Sequence, residues 1–413
     1  MDIPDLSESA RAVLNSIVMA GESTRPRLSV ATNLSKPTVS LAITELEASE
    51  LVAPLRSSQG HTGRAASVYG LSQKAGWLLG IDLGSTHVRA VACALDGTMV
   101  TERLYPARHA RLTTNSALAG RAAEVVSELL SALRRSHGPL RGASIALSKP
   151  VQPLNDHTGT LGASELTPDI QSIIDAVAVP RGVPLLVENN VSCAALGELR
   201  FGAGRGKQDF AYLQVGVGIG AGIVAGGRLQ RGAHGAAGEL RMIPFPLAPN
   251  TSARRYGIEK YLGSAGLLRR CRVHWGTSDG PPPRTVEDLF RRAAEGSKTA
   301  QAILDEEADG IANLVLALEA VVDPALVIVG GGIGQNEALL TRIRETARTL
   351  GGQSQIVTGQ LGDLATVTGA AVLATDHALN TLLTSRYRSS AFDVPPTIPT
   401  RSPDTCADGY NSH

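Results

Sequence analysis

The spacing of glycine between residues 216 and 222 restricts the fold of this 413-residue chain more than any other feature of its sequence. Every second residue there is glycine, and the residues between are valine, isoleucine and alanine. Such apolar residues are typical of a strand, but glycines weaken a strand and usually let the backbone approach a ligand such as a phosphate or a sugar. The motif GAAGE at residues 235–239 follows and makes this interpretation more specific.

A second feature lies just before the glycine run. The apolar residues 185–187 predict a short buried strand, and Glu188, Asn189 and Asn190 follow it. Polar side chains at the C-terminal end of a buried strand commonly hold a ligand. Asparagine is also a good N-cap, so the same residues can simply begin a helix. These residues alone leave both interpretations open.

Three segments together resemble the ROK family of repressors, sugar kinases and uncharacterised reading frames. Residues 80–86 (GIDLGST) resemble the family's first phosphate loop, residues 216–222 the second, and residues 327–333 (VIVGGGI) its nucleotide-binding strand and turn. The resemblance runs from about Trp77 to about Leu383. It implies an α/β chain with the two-lobed actin-like ATPase fold, also called the ROK or sugar-kinase fold. Regulators of the family keep this fold without the chemistry.

The first 75 residues have the pattern of a winged helix-turn-helix. Apolar spacing predicts a helix over residues 8–20, a short one over 25–32 with Leu28 and Ala31 inward, and a third that Ser35 caps and that runs to about residue 49. Strands at 51–55 and 67–71 would form the wing. The pattern is similar to that of ROK repressors, although Ala65 stands where they have proline. A three-helix module that binds no nucleic acid is the alternative.

The third helix would enter the major groove, because short polar side chains lie at its N-terminal end. Leu41 also faces outward on this helix. The loop between the wing strands carries two arginines, Arg56 and Arg64, as a hairpin beside a minor groove would. The residues expected to contact DNA are Arg25, Arg27, Lys36, Pro37, Thr38, Ser40, Thr44 and Arg64.

Length and composition divide the chain and limit its partners. A chain of this length is too long for one core, so we expect a DNA-binding domain at 1–75, a first lobe at 76–184 completed by a helix at 369–384, a second lobe at 185–368 and a disordered tail at 385–413. The net charge of +1 requires any basic surface to be local, and 3% aromatics argue against single-stranded nucleic acid. Scattered cysteines and the absence of a signal or spanning segment predict a cytoplasmic protein without membrane partners.

Two departures from the family's kinases bear on activity. Asn190 stands where the resemblance places the aspartate that acts as general base, and an amide cannot take up a proton at neutral pH. The family's zinc ligands, one histidine and three cysteines, are all replaced, and only Glu259 of that segment remains. We therefore expect no catalytic residues, no metal and no cofactor. The replacing residues are Met242, Asn250, Ser252 and Gly257.

The remaining polar residues predict a carbohydrate-type effector in a kinase-like cleft. Lys149 and Glu165 stand where the family has neutral contacts to its ligand, and they could form a salt bridge with each other. Lys149 could instead bind a phosphate or carboxylate of the effector. A third interpretation is that both are solvated loop residues. The expected effector-binding residues are Asn189, Asn190, Glu239, Glu259, Lys149 and Glu165.

The sequence therefore predicts a homodimeric regulator, possibly of higher order, that binds an inverted-repeat operator in double-stranded DNA and acts as a repressor rather than an enzyme. One alternative is an active ROK sugar kinase with an appended DNA-binding module. Another is a regulator that binds a nucleotide in the retained cleft.

Overall fold

The structure of the chain is a computed structural model that describes residues 5–58, 66–84, 86–106, 115–151, 168–243, 257–276 and 279–384. The chain divides into two compact units. The first comprises residues 1–148, 154–188 and 370–413, and the second comprises 149–153 and 189–369. Among the described residues, no helix is both long enough and apolar enough to cross a membrane.

Three helices open the first unit at the positions that the sequence predicts. They are α1 (Glu8–Ala20), α2 (Arg25–Thr32) and α3 (Lys36–Ala48). Ser35 caps α3, because its hydroxyl accepts a hydrogen bond from the backbone N–H of Thr38 at 3.3 Å. The prediction that Ala31 faces inward is wrong: only Leu28 of α2 is buried, since the helix ends one residue after Ala31 and its last turn is exposed.

A three-stranded antiparallel sheet completes this N-terminal region, which we call the head (residues 5–75). Its strands are β1 (Ser23–Thr24), β2 (Val52–Ser58) and β3 (Ala66–Leu71), in the order β1-β3-β2. The two long strands were predicted, and the loop at 59–65 between them lies outside the described residues. The sequence gives no sign of β1, because two residues are too few to show a period.

The second sheet of the first unit has five strands in the order β6-β5-β4-β7-β8. Its strands β4 and β7 are parallel, and β5 and β6 extend it as antiparallel neighbours. The sequence placed residue 185 at the start of the second lobe, whereas β8 belongs to this first sheet, because apolar content marks a buried strand without naming its neighbour. The bounds are β4 (Trp77–Leu83), β5 (His87–Ala94), β6 (Met99–Pro106), β7 (Leu140–Leu147) and β8 (Leu185–Asn189), with helices α4 (Asn115–His137) and α5 (Pro168–Val177).

The second unit has its own five-stranded sheet in the order β11-β10-β9-β12-β13. Residues of β9, β10 and β12 form one apolar core with the later helices, and the other side of the same strands packs with α6. The strands are β9 (Phe210–Val215), β10 (Ile219–Ala225), β11 (Arg228–Gln230), β12 (Leu326–Gly330) and β13 (Gln355–Thr358). The helices are α6 (Asn190–Phe201), α7 (Gly257–Leu262), α8 (Ser264–His274), α9 (Val286–Ala294), α10 (Lys298–Val322), α11 (Gly331–Gly334) and α12 (Glu337–Thr349).

The last helix, α13 (Ala365–Leu383), begins four residues before the predicted start at Gly369. Gly369 lies inside the helix because of a close approach: a Cβ atom there would be 1.6 Å from the carbonyl oxygen of Cys193 in α6. The C-terminal half of α13 carries Leu379 and Leu382 into the core of the head, where they join Leu14 and Leu46. The head and the last helix therefore share one apolar core.

Candidate functional site

The side chain of Asn189 connects three segments of the second unit. Its Oδ1 accepts hydrogen bonds from the backbone N–H groups of Val191 at 2.8 Å and Ser192 at 3.1 Å, so Asn189 caps α6. Its Nδ2 donates to the carbonyl oxygen of Lys149 at 3.1 Å and to Oε1 of Glu239 at 3.3 Å. The cap interpretation that the sequence left open is thus confirmed for Asn189, and the same side chain holds a carboxylate beside the first turn of the helix.

Both oxygens of Glu239 have partners. Oε1 accepts from Asn189, and Oε2 accepts from Nε of Arg241 at 2.6 Å. The carboxylate is largely buried, with its side chain 10% exposed, and the Arg241 side chain is 24% exposed. An ion pair at low exposure is screened less by water than a surface pair, so Arg241 helps to hold the Glu239 carboxylate in this position. We call Asn189, Asn190, Glu239 and Arg241 the α6 polar cluster.

Arg241 was not among the residues predicted from the sequence to form the site. Residues two apart do not face each other on a helix, so their spacing predicts no contact. Here the chain forms a single 3₁₀ turn over Leu240–Met242, and that turn brings the two side chains together. An arginine two residues after a predicted site glutamate was the available signal, but it fixes no geometry.

Backbone contacts explain the position of Glu239. The preceding residue, Gly238, has φ +78°, and a Cβ atom there would lie 1.9 Å from the carbonyl oxygen of Ala221 in β10. The carbonyl of Gly238 in turn accepts from the N–H of Ala221 at 2.7 Å. Only glycine permits this approach and this φ, so the glycine-rich segment holds the start of the Glu239 turn against the sheet.

The alternating glycines have different roles from each other. Gly216 and Gly218 lie in the turn between β9 and β10, whereas Gly220 and Gly222 lie inside β10. A Cβ atom on Gly222 would be 2.6 Å from the Cβ of Ala195 in α6. Approach to a ligand is therefore the wrong explanation for Gly222, because the close neighbour is a helix of the same unit.

Glu259 contacts the turn between β9 and β10. Its Oε2 accepts from the backbone N–H of Ile219 at 3.4 Å, and a Cβ atom on Gly218 would be 3.1 Å from the same oxygen. Glu259 thus links α7 to this turn, whereas Asn189 and Glu239 contact each other at the start of α6. Asn190 is the first residue of α6 and is half-buried. Lys149 is also half-buried, and its carbonyl oxygen accepts the hydrogen bond from Asn189. Glu165 lies outside the described residues.

The first phosphate-loop segment contains a buried carboxylate. Asp82 is the second-last residue of β4 and is 6% exposed, and His87 Nε2 lies 3.4 Å from its Oδ2. The other ring nitrogen of His87 is 3.0 Å from the hydroxyl of Thr86. His87 was not among the predicted site residues, and Ser85 of this loop lies outside the described residues.

On the head, the residues predicted to contact DNA form an accessible set. Arg25, Arg27, Lys36, Pro37 and Thr44 are exposed, while Thr38 and Ser40 are half-buried. The guanidinium of Arg25 lies over the ring of Tyr69 in β3, 5.2 Å from its centroid, so it is positioned by the sheet. The hydroxyl of Thr38 is 2.8 Å from that of Ser35 and belongs to the helix cap. Arg64 lies outside the described residues.

The predicted loss of the zinc site concerns four positions. Met242 ends the 3₁₀ turn after Glu239, and Gly257 begins α7. Asn250 and Ser252 lie outside the described residues. Within the described part of the chain, no group of three or more histidine, cysteine, aspartate or glutamate side chains is arranged to hold a metal ion.

Comparison with known proteins identifies the family. Among curated relatives, the bifunctional enzyme NanE/NanK of Brucella melitensis is 37% identical over 207 residues, which are 48% of this chain and 36% of that protein. The chain thus spans about a third of the length of that relative. The xylose repressor of Bacillus spizizenii is 26% identical over 277 residues, or 65% of this chain and 70% of the repressor.

Solved structures show the same fold. One is a ROK family transcriptional regulator, a homolog of the Escherichia coli MLC protein, with a TM-score of 0.66 and 20% sequence identity. The alignment covers 91% of this chain and 98% of the regulator. Another is a ROK family glucokinase from Streptomyces griseus in complex with glucose and AMPPNP, with a TM-score of 0.58 and 25% sequence identity. The alignment covers 72% of this chain and 99% of the glucokinase. The chain has the actin-like ATPase fold that these two structures share. Since residues 78–377 also match the model of the ROK family, the chain belongs to the ROK family.

Proposed function

We propose that this chain is a DNA-binding transcriptional regulator, acting as a repressor, that senses a carbohydrate-type molecule without phosphorylating it. The observation that carries the proposal is the outer face of α3, where Lys36 and Pro37 are exposed in the N-terminal half of a helix whose opposite face is core, and Thr44 is exposed two turns after Pro37. In a winged helix-turn-helix this half of the helix lies in the major groove.

The charges around α3 support duplex DNA as the partner. Arg25 and Arg27 lie in the first turn of α2, and both are exposed. They are placed to contact phosphates while the polar residues of α3 contact base edges. Because the whole chain has a net charge of only +1, this local concentration of cations is more informative than the overall charge. The wing arginine Arg64 would add a contact in the adjacent minor groove.

The α6 polar cluster supports sensing rather than catalysis. Asn190 begins α6 at the position where the resemblance places the catalytic aspartate, and its amide can hydrogen-bond a hydroxyl but cannot accept the proton. Glu239 offers a carboxylate of fixed orientation to a polyol. We assign effector contact to this cluster and to Glu259, Lys149 and Glu165. The name of the xylose repressor relative is in line with a sugar-type effector.

Two copies of the head are needed for a specific site. One recognition helix reads only a few base pairs, and a two-fold dimer on an inverted repeat doubles that number. We therefore propose a homodimer that binds an inverted-repeat operator.

The experiment is selection of bound duplexes from a random pool with the full chain, followed by gel shift. An inverted repeat should emerge, and at least one carbohydrate should release it. A chain that enriches no duplex, or enriches duplexes without sequence preference, is not a regulator of this kind.

An active sugar kinase with an appended head is the second candidate. The buried carboxylate of Asp82 in the first phosphate loop favours it, as does the glucokinase fold. Purified chain with ATP, magnesium and a panel of hexoses decides between the two. We expect no turnover above background, and turnover that Asn190→Ala abolishes would establish the kinase instead.

A further inference from the structure

The recognition helix carries one large apolar side chain on its outer face. Leu41 is 73% exposed, whereas Val39, Ile43 and Leu46 of the same helix are fully buried. Single exposed apolar residues are common on protein surfaces and need no explanation by themselves. The position of Leu41 is what makes it informative, because it lies one helical turn after Pro37 and one turn before Thr44, both exposed.

The surroundings of Leu41 indicate which partner would cover it. Lys36 is exposed in the first turn of α3, and Arg25 and Arg27 are exposed in the first turn of α2. A protein partner would need an acidic rim around an apolar centre, whereas the major groove offers phosphates at its edges and base edges between them. The charge around Leu41 therefore favours duplex DNA over a second protein surface.

Only one group in the major groove of unmodified DNA is apolar. Thymine presents its 5-methyl group there, while the other base edges present hydrogen-bond donors and acceptors. Leucine has no polar atom in its side chain, so its favourable contact in the groove is with that methyl group. Ser40 and Thr44, by contrast, can hydrogen-bond to several base edges and discriminate less.

We infer that Leu41 is a specificity-determining residue that recognises a thymine methyl group at a fixed position of each operator half-site. This inference rests on the proposed DNA-binding function. Removal of one methyl group from water corresponds to about a fourfold change in affinity, so each half-site should lose about this factor when its thymine loses the methyl group.

The test uses the site obtained by selection with the full chain, and fluorescence anisotropy as the readout. Each thymine is replaced in turn by uracil, which removes the methyl group and leaves base pairing intact. At one thymine position in each half-site, this replacement should lower the affinity about fourfold for each methyl group removed. The variant Leu41→Ala should bind the thymine and uracil duplexes equally, and Leu41→Met, which stays apolar, should keep the preference.

A matched control is available on the neighbouring helix. Val30 of α2 is 85% exposed and also apolar, so Val30→Ala tests whether loss of any exposed apolar side chain has the same effect. It should retain the full preference for thymine.

Each other outcome decides against the inference in its own way. Selection without any enriched site would overturn the proposed function and this inference together. Specific binding with no sensitivity to uracil, or with sensitivity that persists in Leu41→Ala, would overturn this inference alone. A change of oligomeric state in Leu41→Ala, measured by sedimentation, would instead place Leu41 in a contact between proteins.

Discussion

The side-chain amide of Asn189 links the carboxylate of Glu239 to the first turn of α6, because its oxygen caps the helix while its nitrogen lies 3.3 Å from Oε1 of Glu239. A shift of the helix start would therefore move the carboxylate, and a ligand that binds the carboxylate would act on the helix. This one side chain combines a structural role with the proposed effector role.

Two substitutions at Asn189 should separate those roles. Asn189→Ala removes the cap and should lower the free energy of unfolding by about 1 kcal/mol. Asn189→Ser keeps an oxygen acceptor for the helix but loses the amide that holds Glu239, so it should be closer to wild type in stability. Urea unfolding measures the difference. Equal destabilisation by both variants would show that the contact with Glu239, rather than the cap, supports the fold.

Glu239→Ala should leave operator binding intact and remove the response to effector. Its carboxylate contacts Asn189 and Arg241 in the second unit, while the head belongs to the first. The readout is the rise in melting temperature with each sugar of a panel, since a ligand that binds only the folded chain stabilises it. Glu345→Ala is the control and should keep the response, because Glu345 is exposed on α12 and is not among the residues assigned to effector contact. If Glu239→Ala loses folding and operator binding together, Glu239 is structural and does not bind the effector.

The sequence predicted the head far better than the site. Glycine commonly ends a helix and serine commonly begins one, and α1 ends just before Gly21 while α3 begins just after Ser35. Local chemistry of this kind needs no knowledge of the rest of the fold. The predicted burial of Ala31 was wrong. A side chain is buried only if another segment packs against it, and the helical spacing of apolar residues does not show whether such a segment is present.

Contacts between distant segments could not be predicted. Gly369 had the appearance of a helix start, yet it lies within α13 to accommodate the carbonyl of Cys193. Gly222 likewise accommodates Ala195 rather than a ligand. In both cases the absence of a side chain on glycine leaves space for another segment of the chain. The sequence shows the glycine but does not show which segment occupies that space.

Lys36→Ala should weaken operator binding and reduce its dependence on salt. Lys36 is exposed at the first position of α3, where its ammonium group can contact a phosphate. Each lost phosphate contact reduces the slope of log affinity against log salt by about 0.9. Arg64→Ala should behave similarly. Lys298→Ala, an exposed lysine at the start of α10 in the second unit, is the control and should change neither value. Unchanged binding in both Lys36→Ala and Arg64→Ala would contradict the proposed interface.

Removal of zinc should not affect this chain. Zinc in proteins is held by thiolate, imidazole or carboxylate ligands, and Met242 and Gly257 offer none of these. Asn250 and Ser252 are equally poor ligands. Elemental analysis should find no stoichiometric zinc, and prolonged dialysis against a chelator should leave the melting temperature unchanged. Stoichiometric zinc whose loss lowers the melting temperature would show that another set of residues has replaced the family's site.

A buried ion pair in the second unit gives the last prediction. Glu307 of α10 is fully buried and accepts a hydrogen bond from the guanidinium of Arg270 in α8. Arg270 also lies 4.4 Å from the ring centroid of Tyr261 and 3.4 Å from the carboxylate of Glu306. Burial raises the pKa of Glu307 from 4.5 to about 8, and the nearby positive charge of Arg270 offsets this only in part.

Stability should therefore fall as pH rises from about 5 to about 8. In this window the folded chain holds a proton on Glu307 that the unfolded chain has released, so rising pH favours unfolding by up to about 1.4 kcal/mol per pH unit. Glu307→Gln cannot titrate but can still accept a hydrogen bond from Arg270, and its unfolding free energy should depend less on pH. Glu306→Gln is the matched control, because Glu306 neighbours the same arginine with its side chain 44% exposed. Its negative charge raises the pKa of Glu307 less than burial does, so this variant should keep most of the wild-type dependence. The measurement is urea unfolding at pH 5.5 and pH 8. Two results would contradict this prediction: a wild-type chain that is as stable at pH 8 as at pH 5.5, or a Glu307→Gln variant that keeps the full pH dependence. Either would show that Glu307 is already ionised in the folded chain, because Arg270 outweighs the effect of burial.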